Sequence, residues 1–140
     1  MTRGWLLVLL LALSCAEQKD PIAATLDSVA AAAEERDSSA VLGHLAPEFP
    51  NRAEVENQLR RYFFGYKTIE VVIRERNVQR SGSTAWATFL VDFIGLPKQV
   101  GGFDQYLPRS AHYRFEVTLA DQGGEWKITS AKWEERGDRN

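Results

Sequence analysis

From Pro21 to Ala33 the apolar positions Ile22, Leu26, Val29, Ala30 and Ala33 recur at the three- and four-residue spacing that gathers them on one face of an α-helix. Asp20 stands where its carboxylate can cap the first turn. Pro21 suits that turn because its missing N–H would have no intrahelical partner there. Asp37-Ser38-Ser39 offers a second cap ahead of Val41, Leu42 and Leu45, which predicts a short helix ending before Pro47. Asn51 opens a third helix, with Glu54 three residues on in a capping-box arrangement. Val55, Leu59, Tyr62 and Phe63 form its apolar face, and Gly65 stops it.

After Gly65 the period changes to two, the signature of half-buried strands. The segment Tyr66 to Gln79 aligns Ile69, Val71 and Ile73, and Ser81-Gly82-Ser83 turns the chain. Thr84 to Ile94 aligns Ala85, Ala87, Phe89, Val91 and Phe93. Ala111 to Leu119 aligns Ala111, Tyr113, Phe115, Val117 and Leu119. Asp121-Gln122-Gly123-Gly124 reads as a hairpin turn into a fourth strand, Trp126 to Glu134, with Trp126 in the core. Helices first and long antiparallel strands afterwards predict an α+β domain, its helices packed on one face of a curved sheet.

A different pattern precedes the helices. The run Trp5 to Ser14 is apolar, follows Arg3, and is far shorter than the ~20 residues that span a bilayer, so it reads as an export signal. Leu11-Ala12-Leu13-Ser14-Cys15 resembles a bacterial lipoprotein processing site, in which the cysteine is acylated and becomes the first mature residue. Ala12 and Ser14 also fit ordinary signal cleavage. That alternative would leave Cys15, the chain's one cysteine, as an exposed odd thiol in an oxidising compartment. The expected organisation is a signal over 1–14, lipidated Cys15 and a short tether over 15–20, one domain over 21–134, and a polar tail over 135–140. Ala16 in place of an aspartate resembles outer-membrane sorting, with the domain facing the periplasm. The tether, at about 3.5 Å per residue, holds the domain within roughly 20 Å of its membrane.

Composition narrows the chemistry. The chain is 26% charged and 44% hydrophobic, with a formal charge of −2 that grows more negative once Arg3 leaves with the signal. It carries no basic cluster of the kind that displaces counterions from phosphates, so nucleic acid is not an expected partner. A single cysteine excludes a disulfide framework. His44 and His112, far apart and without cysteine partners, suggest no metal site, and no cofactor is expected.

The order of a long helix, a short helix capped by Asp37, the Pro47-Glu48-Phe49 segment and a third helix resembles the nuclear transport factor 2-like superfamily. The ending from Tyr113-x-Phe115-x-Val117 through Gly123-Gly124-Glu125-Trp126-Lys127-Ile128 to Trp133 carries the same resemblance. It implies a cone-shaped domain, a bent sheet wrapped around helices with a pocket at its wide end. It does not imply one function: members include ketosteroid isomerase-like and polyketide cyclase-like enzymes, a dehydratase, transport adaptors and exported binding modules.

Strand parity then sorts the candidates. The apolar faces should turn inward, so Tyr62, Tyr66, Phe89, Phe93, Tyr113 and Phe115 are the expected pocket residues, suited to a small lipophilic or aromatic ligand. Trp86, Leu90, Asp92, His112, Arg114 and Trp133 are expected on the opposite face, as a surface for a homodimer or another envelope protein. The resemblance implies that an enzyme of this fold would place an acid or base inside the pocket. Asp92 and His112 have the wrong parity for that unless a bulge reverses them. The favoured expectation is a non-catalytic binding domain. An isomerase- or hydrolase-like enzyme and a structural assembly factor are the alternatives. The segment from Gly95 to Pro108, long and rich in apolar residues, reads as either a lid or an ordered flap.

Overall fold

The computed structural model describes residues 20–98 and 107–137. The export signal, Cys15, the tether to residue 19, positions 99–106 of the expected lid or flap and the last three residues lie outside the described residues. Helix α1 (Pro21–Glu34) begins as its sequence dictates, with an Asp20 carboxylate oxygen accepting the Ile22 N–H at 3.1 Å. Helix α2 (Ser38–Gly43) is capped in the same way by Asp37, which accepts from the Ala40 N–H at 3.0 Å.

Helix α3 (Arg52–Gly65) departs from expectation at its start. Asn51 precedes it in the left-handed region, at φ 54°, and its side chain makes no cap hydrogen bond. Asparagine tolerates that conformation, and the sharp entry it provides places Arg52 against the preceding helix. The Arg52 guanidinium donates to the carbonyls of Leu42, Leu45 and Ala46 at 3.0, 3.0 and 3.2 Å. Those carbonyls lie at and just beyond the end of α2, where helical partners run out.

Four strands follow as an antiparallel meander in chain order: β1 (Tyr66–Ser81), β2 (Thr84–Pro97), β3 (Ser110–Gln122) and β4 (Glu125–Arg136). The β3–β4 hairpin needs left-handed backbone at Gly123 and Gly124, with φ 65° and 90°, and the Asp121 carboxylate accepts the Gly124 N–H. One sheet face carries the core. Ile22 and Leu26 of α1 and Leu42 of α2 pack with Leu45 against Ala85, Ala87, Phe89, Val117, Leu119, Trp126 and Ile128. The fold is therefore α+β, with three helices followed by a curled four-stranded sheet among the described residues.

Three register shifts shape that sheet, one of them between Tyr66 and Thr68 at the start of β1. In β1 the register shifts between Arg74 and Asn77, with Glu75 at φ 54°, so Ile73 and Val78 both face the helices despite their opposite parity. In β4 the register shifts beside Thr129. Leu119 pairs with Ile128, while Thr118 pairs with Ser130. Before this bulge the even positions Trp126 and Ile128 are buried with the core; after it the odd positions Ala131 and Trp133 share the face of Val117 and Phe115. The placement of Trp133 beside Trp86 on the helix-free face is thus corrected: one extra residue in β4 turns Trp133 to the helix side.

Candidate functional site

On the helix side three rings run in one row across the sheet. Phe89 of β2, Phe115 of β3 and Trp133 of β4 are register partners. Phe89 and Phe115 stack at 5.4 Å with planes 3° apart, and Phe115 and Trp133 stack at 6.1 Å with planes 25° apart. The row starts in the core and ends in the open, since Phe89 is 7% exposed and Trp133 57%. Phe89 therefore serves as packing beneath the site rather than as lining, a correction to its expected role. Tyr113 meets Phe115 edge-on at 6.2 Å.

Helix α3 leaves this end uncovered. None of its side chains is fully buried; Tyr62 is 51% exposed and Phe64 72%. The apolar face expected to close over the sheet is half-packed, with Val55 touching the core and Tyr62 standing out at its rim. The Tyr62 phenol lies close enough to act on both Tyr66 and Tyr113. Burial pushes Tyr113 above its ordinary value, and the Glu135 carboxylate and Tyr62 push it further. Glu135 is the register partner of Tyr113, so it reaches the same face.

Tyr66 is a second correction. Its side chain is fully buried, its ring meets Phe93 edge-on at 5.2 Å, and its hydroxyl donates to the Pro108 carbonyl at 2.6 Å. Burial pushes its pKa from 10.0 to about 12. A hydroxyl already committed to the backbone is a structural strut, so Tyr66 does not line a pocket. Among the described residues, those left exposed or half-buried at this end are Tyr62, Phe93, Tyr113, Phe115 and Trp133, an aromatic trough with hydroxyls and one carboxylate at its rim.

The other sheet face carries Trp86, Leu90, Asp92, His112 and Arg114, the expected positions. Asp92 and His112 are register partners, and a carboxylate oxygen of Asp92 lies 2.8 Å from His112 Nδ1. Arg74 grips the same carboxylate with two contacts, Nη2 at 3.0 Å and Nε at 2.7 Å. Its hydrogen bonds, with that of His112, hold the Asp92 carboxyl below the usual carboxylate range. An ionised Asp92 accepts only, so Nδ1 of His112 is the donor. With Leu90, Tyr113, Arg136 and Gly137 these groups line a shallow depression of about 390 Å³. No bulge turns Asp92 or His112 to the helix side: β2 and β3 pair without a register shift throughout. No local sequence pattern places Arg74 or Arg136 here. Only the register of β1 on β2 and of β4 on β3 brings them to Asp92 and His112.

Comparison with solved structures finds the same architecture in distant chains. A protein of Novosphingobium aromaticivorans, provisionally named a scytalone dehydratase, superposes with a TM-score of 0.73 at 11% identity, over 98% of this chain and 89% of that one. A protein of Streptomyces avermitilis, provisionally named a dehydratase of the nuclear transport factor 2-like family, does so with a TM-score of 0.66 at 14% identity, over 82% and 93%. A protein of unknown function from Nostoc punctiforme, with a cystatin-like fold, gives 0.66 at 9% identity, over 84% and 90%. At such identities the likeness is one of fold. No curated protein matches the sequence. The SnoaL-like domain model matches residues 22–132, from the first turn of α1 into the last strand. The chain belongs to the SnoaL-like domain family of the nuclear transport factor 2-like superfamily.

Proposed function

We propose that this chain is a lipid-anchored protein of the bacterial envelope whose domain binds a lipophilic or aromatic small molecule without transforming it. The observation that carries the reading is the open end of the Phe89–Phe115–Trp133 row, where a half-exposed indole stacks on the Phe115 ring, Tyr113 meets that ring edge-on, and the half-exposed Tyr62 lies near Tyr113. A flat apolar ligand laid on that surface would bury aromatic area against a preformed platform and meet the Tyr113 hydroxyl at its rim. A non-catalytic role is supported by the position of Asp92 and His112. The hydrogen-bonded Asp92–His112 pair stands on the helix-free face, away from the trough. The anchor rests on the sequence alone, on Cys15 after its apolar run.

An enzyme is the second reading. The Asp92–His112 pair, with its carboxylate kept ionised by Arg74, is an arrangement that orients an imidazole for proton transfer, and it lines a depression of its own. Native mass spectrometry of the full chain purified from membranes separates the two. Binding in the trough predicts a retained apolar ligand, lost in Trp133→Ala and kept in His112→Ala; the reverse dependence would overturn it. For the anchor, the wild-type chain should incorporate labelled palmitate and Cys15→Ser should not. Equal labelling of both would refute lipidation at Cys15.

A further inference from the structure

The sheet ends in β4, and its outer edge is only partly covered. Near the start of the strand the segment after α2 closes it: the Ala46 N–H donates to the Ile128 carbonyl at 2.8 Å, and the Ile128 N–H donates to the His44 carbonyl at 2.9 Å. Beyond Ile128, among the described residues, nothing pairs with the edge up to Arg136. An uncovered edge is a template for another strand, and charged side chains along it usually discourage pairing. Here the charges are not scattered. They follow an order that one arrangement satisfies.

When two copies of a strand pair antiparallel about a two-fold axis normal to the sheet, opposed residues point to the same face, so the axis must pass midway between a residue and its own copy. Centred on Lys132, the arrangement opposes that lysine to itself. Centred on Glu134, it opposes two carboxylates and sets Lys132 against Arg136. Centred on Trp133, it opposes indole to indole on the helix side and Lys132 to Glu134 of the partner subunit, twice, on the other face. The rows already present within the chain reinforce this choice. Glu116 neighbours Lys132 in register, and Arg114 neighbours Glu134. Continued across the axis, the first row alternates in sign: Glu116, Lys132, Glu134 of the partner subunit, Arg114 of the partner subunit. The helix-side row becomes a continuous aromatic ladder from Phe89 through both copies of Trp133.

We infer that a second copy of this chain docks on the edge of β4, antiparallel and centred on Trp133, so that two four-stranded sheets continue as one. The partner's Trp133 then forms the far wall of the aromatic trough. The surface used is the strand edge, distinct from the sheet face that carries Trp86 and Leu90. Lys132 and Glu134 are exposed, so reversing their charges leaves the fold intact.

Sedimentation equilibrium of the full chain in mild detergent should show a dimer. Lys132→Glu or Glu134→Lys alone turns both cross-axis pairs repulsive and should weaken it about tenfold or more. Mixed together, the two variants regain both attractions, and native mass spectrometry of an isotope-labelled mixture should show the heterodimer in excess of either homodimer. Carbodiimide treatment of mixed labelled and unlabelled wild type should join Lys132 of one copy to Glu134 of the other. A monomer at every concentration overturns the inference. So does a dimer indifferent to both reversals, or a mixture without excess heterodimer. Capture of the edge by a different protein in place of a second copy would overturn it too.

Discussion

Replacing Tyr66 by phenylalanine removes one oxygen from a fully buried side chain and leaves its ring against Phe93. The lost interaction is the 2.6 Å hydrogen bond to the Pro108 carbonyl. A net hydrogen bond contributes about 1 kcal/mol, and stranding a half-buried carbonyl adds to that, so the expected loss at neutral pH is about 1–2 kcal/mol. In a domain of this size that lowers the melting temperature by roughly 4–8 °C. The same residue supplies a second, independent signature. Its folded pKa, about 12, lies above the ordinary 10.0 because burial disfavours the phenolate. Stability from holding that proton is complete below about pH 10 and is lost as pH rises toward about 12. Discounted for the water that reaches the neighbouring exposed Tyr62, it is worth about 1–2 kcal/mol. The phenylalanine variant has no such proton to lose, so the wild-type advantage should shrink across that window. Urea denaturation followed by tryptophan fluorescence, with both proteins measured from neutral pH to about pH 11.5, isolates this group because every other ionisable side chain is common to both proteins. Equal stability at neutral pH, or a difference constant through the alkaline window, would refute the strut role of Tyr66.

Three further outcomes are expected. Gly95→Ala would drive a methyl group into the Tyr66 ring, with Cδ1 at 2.7 Å, and into the Phe93 ring at 3.0 Å; because the Tyr66 hydroxyl pins that ring, the cost should be about 1–3 kcal/mol in a denaturation midpoint. Arg52→Ala should cost about 1–2 kcal/mol by stranding the carbonyls at the end of α2, and Arg52→Lys should recover only part of it, since an ammonium cannot reproduce the planar fork. Asp92→Asn should remove stability that is present above the ordinary carboxylate pKa near 3.8 and lost as pH falls below it; the site is largely solvated, so an acid titration should read less than about 1 kcal/mol.

Local chemistry made much of this fold legible. Asp20 and Asp37 cap their helices in the structure because a short carboxylate at that position satisfies orphan N–H groups whatever surrounds it. The odd-numbered apolar positions of β2 and β3 face the core because two strands that pair without a bulge keep one parity throughout. For the same reason strand parity alone puts Asp92 and His112 on the helix-free face, although it does not bring Arg74, which completes their cluster, to them.

The remainder depends on contacts between segments distant in sequence. Periodicity has no marker for the extra residue at Thr129, so strand parity alone puts Trp133 on the wrong face, and with it the open end of the aromatic row. Nothing local distinguishes a tyrosine that lines a cavity from Tyr66, whose hydroxyl finds a carbonyl 42 residues away. Asn51 matched a capping pattern, yet its left-handed backbone serves the approach of Arg52 to α2. By itself the sequence determined the elements, their order and the parity of the unbulged strands, because those follow from interactions a few residues apart. Tertiary structure alone decided where parity reverses, which aromatic rings are sealed and which are open, and which strand edge is left without a neighbour, because each depends on register between strands.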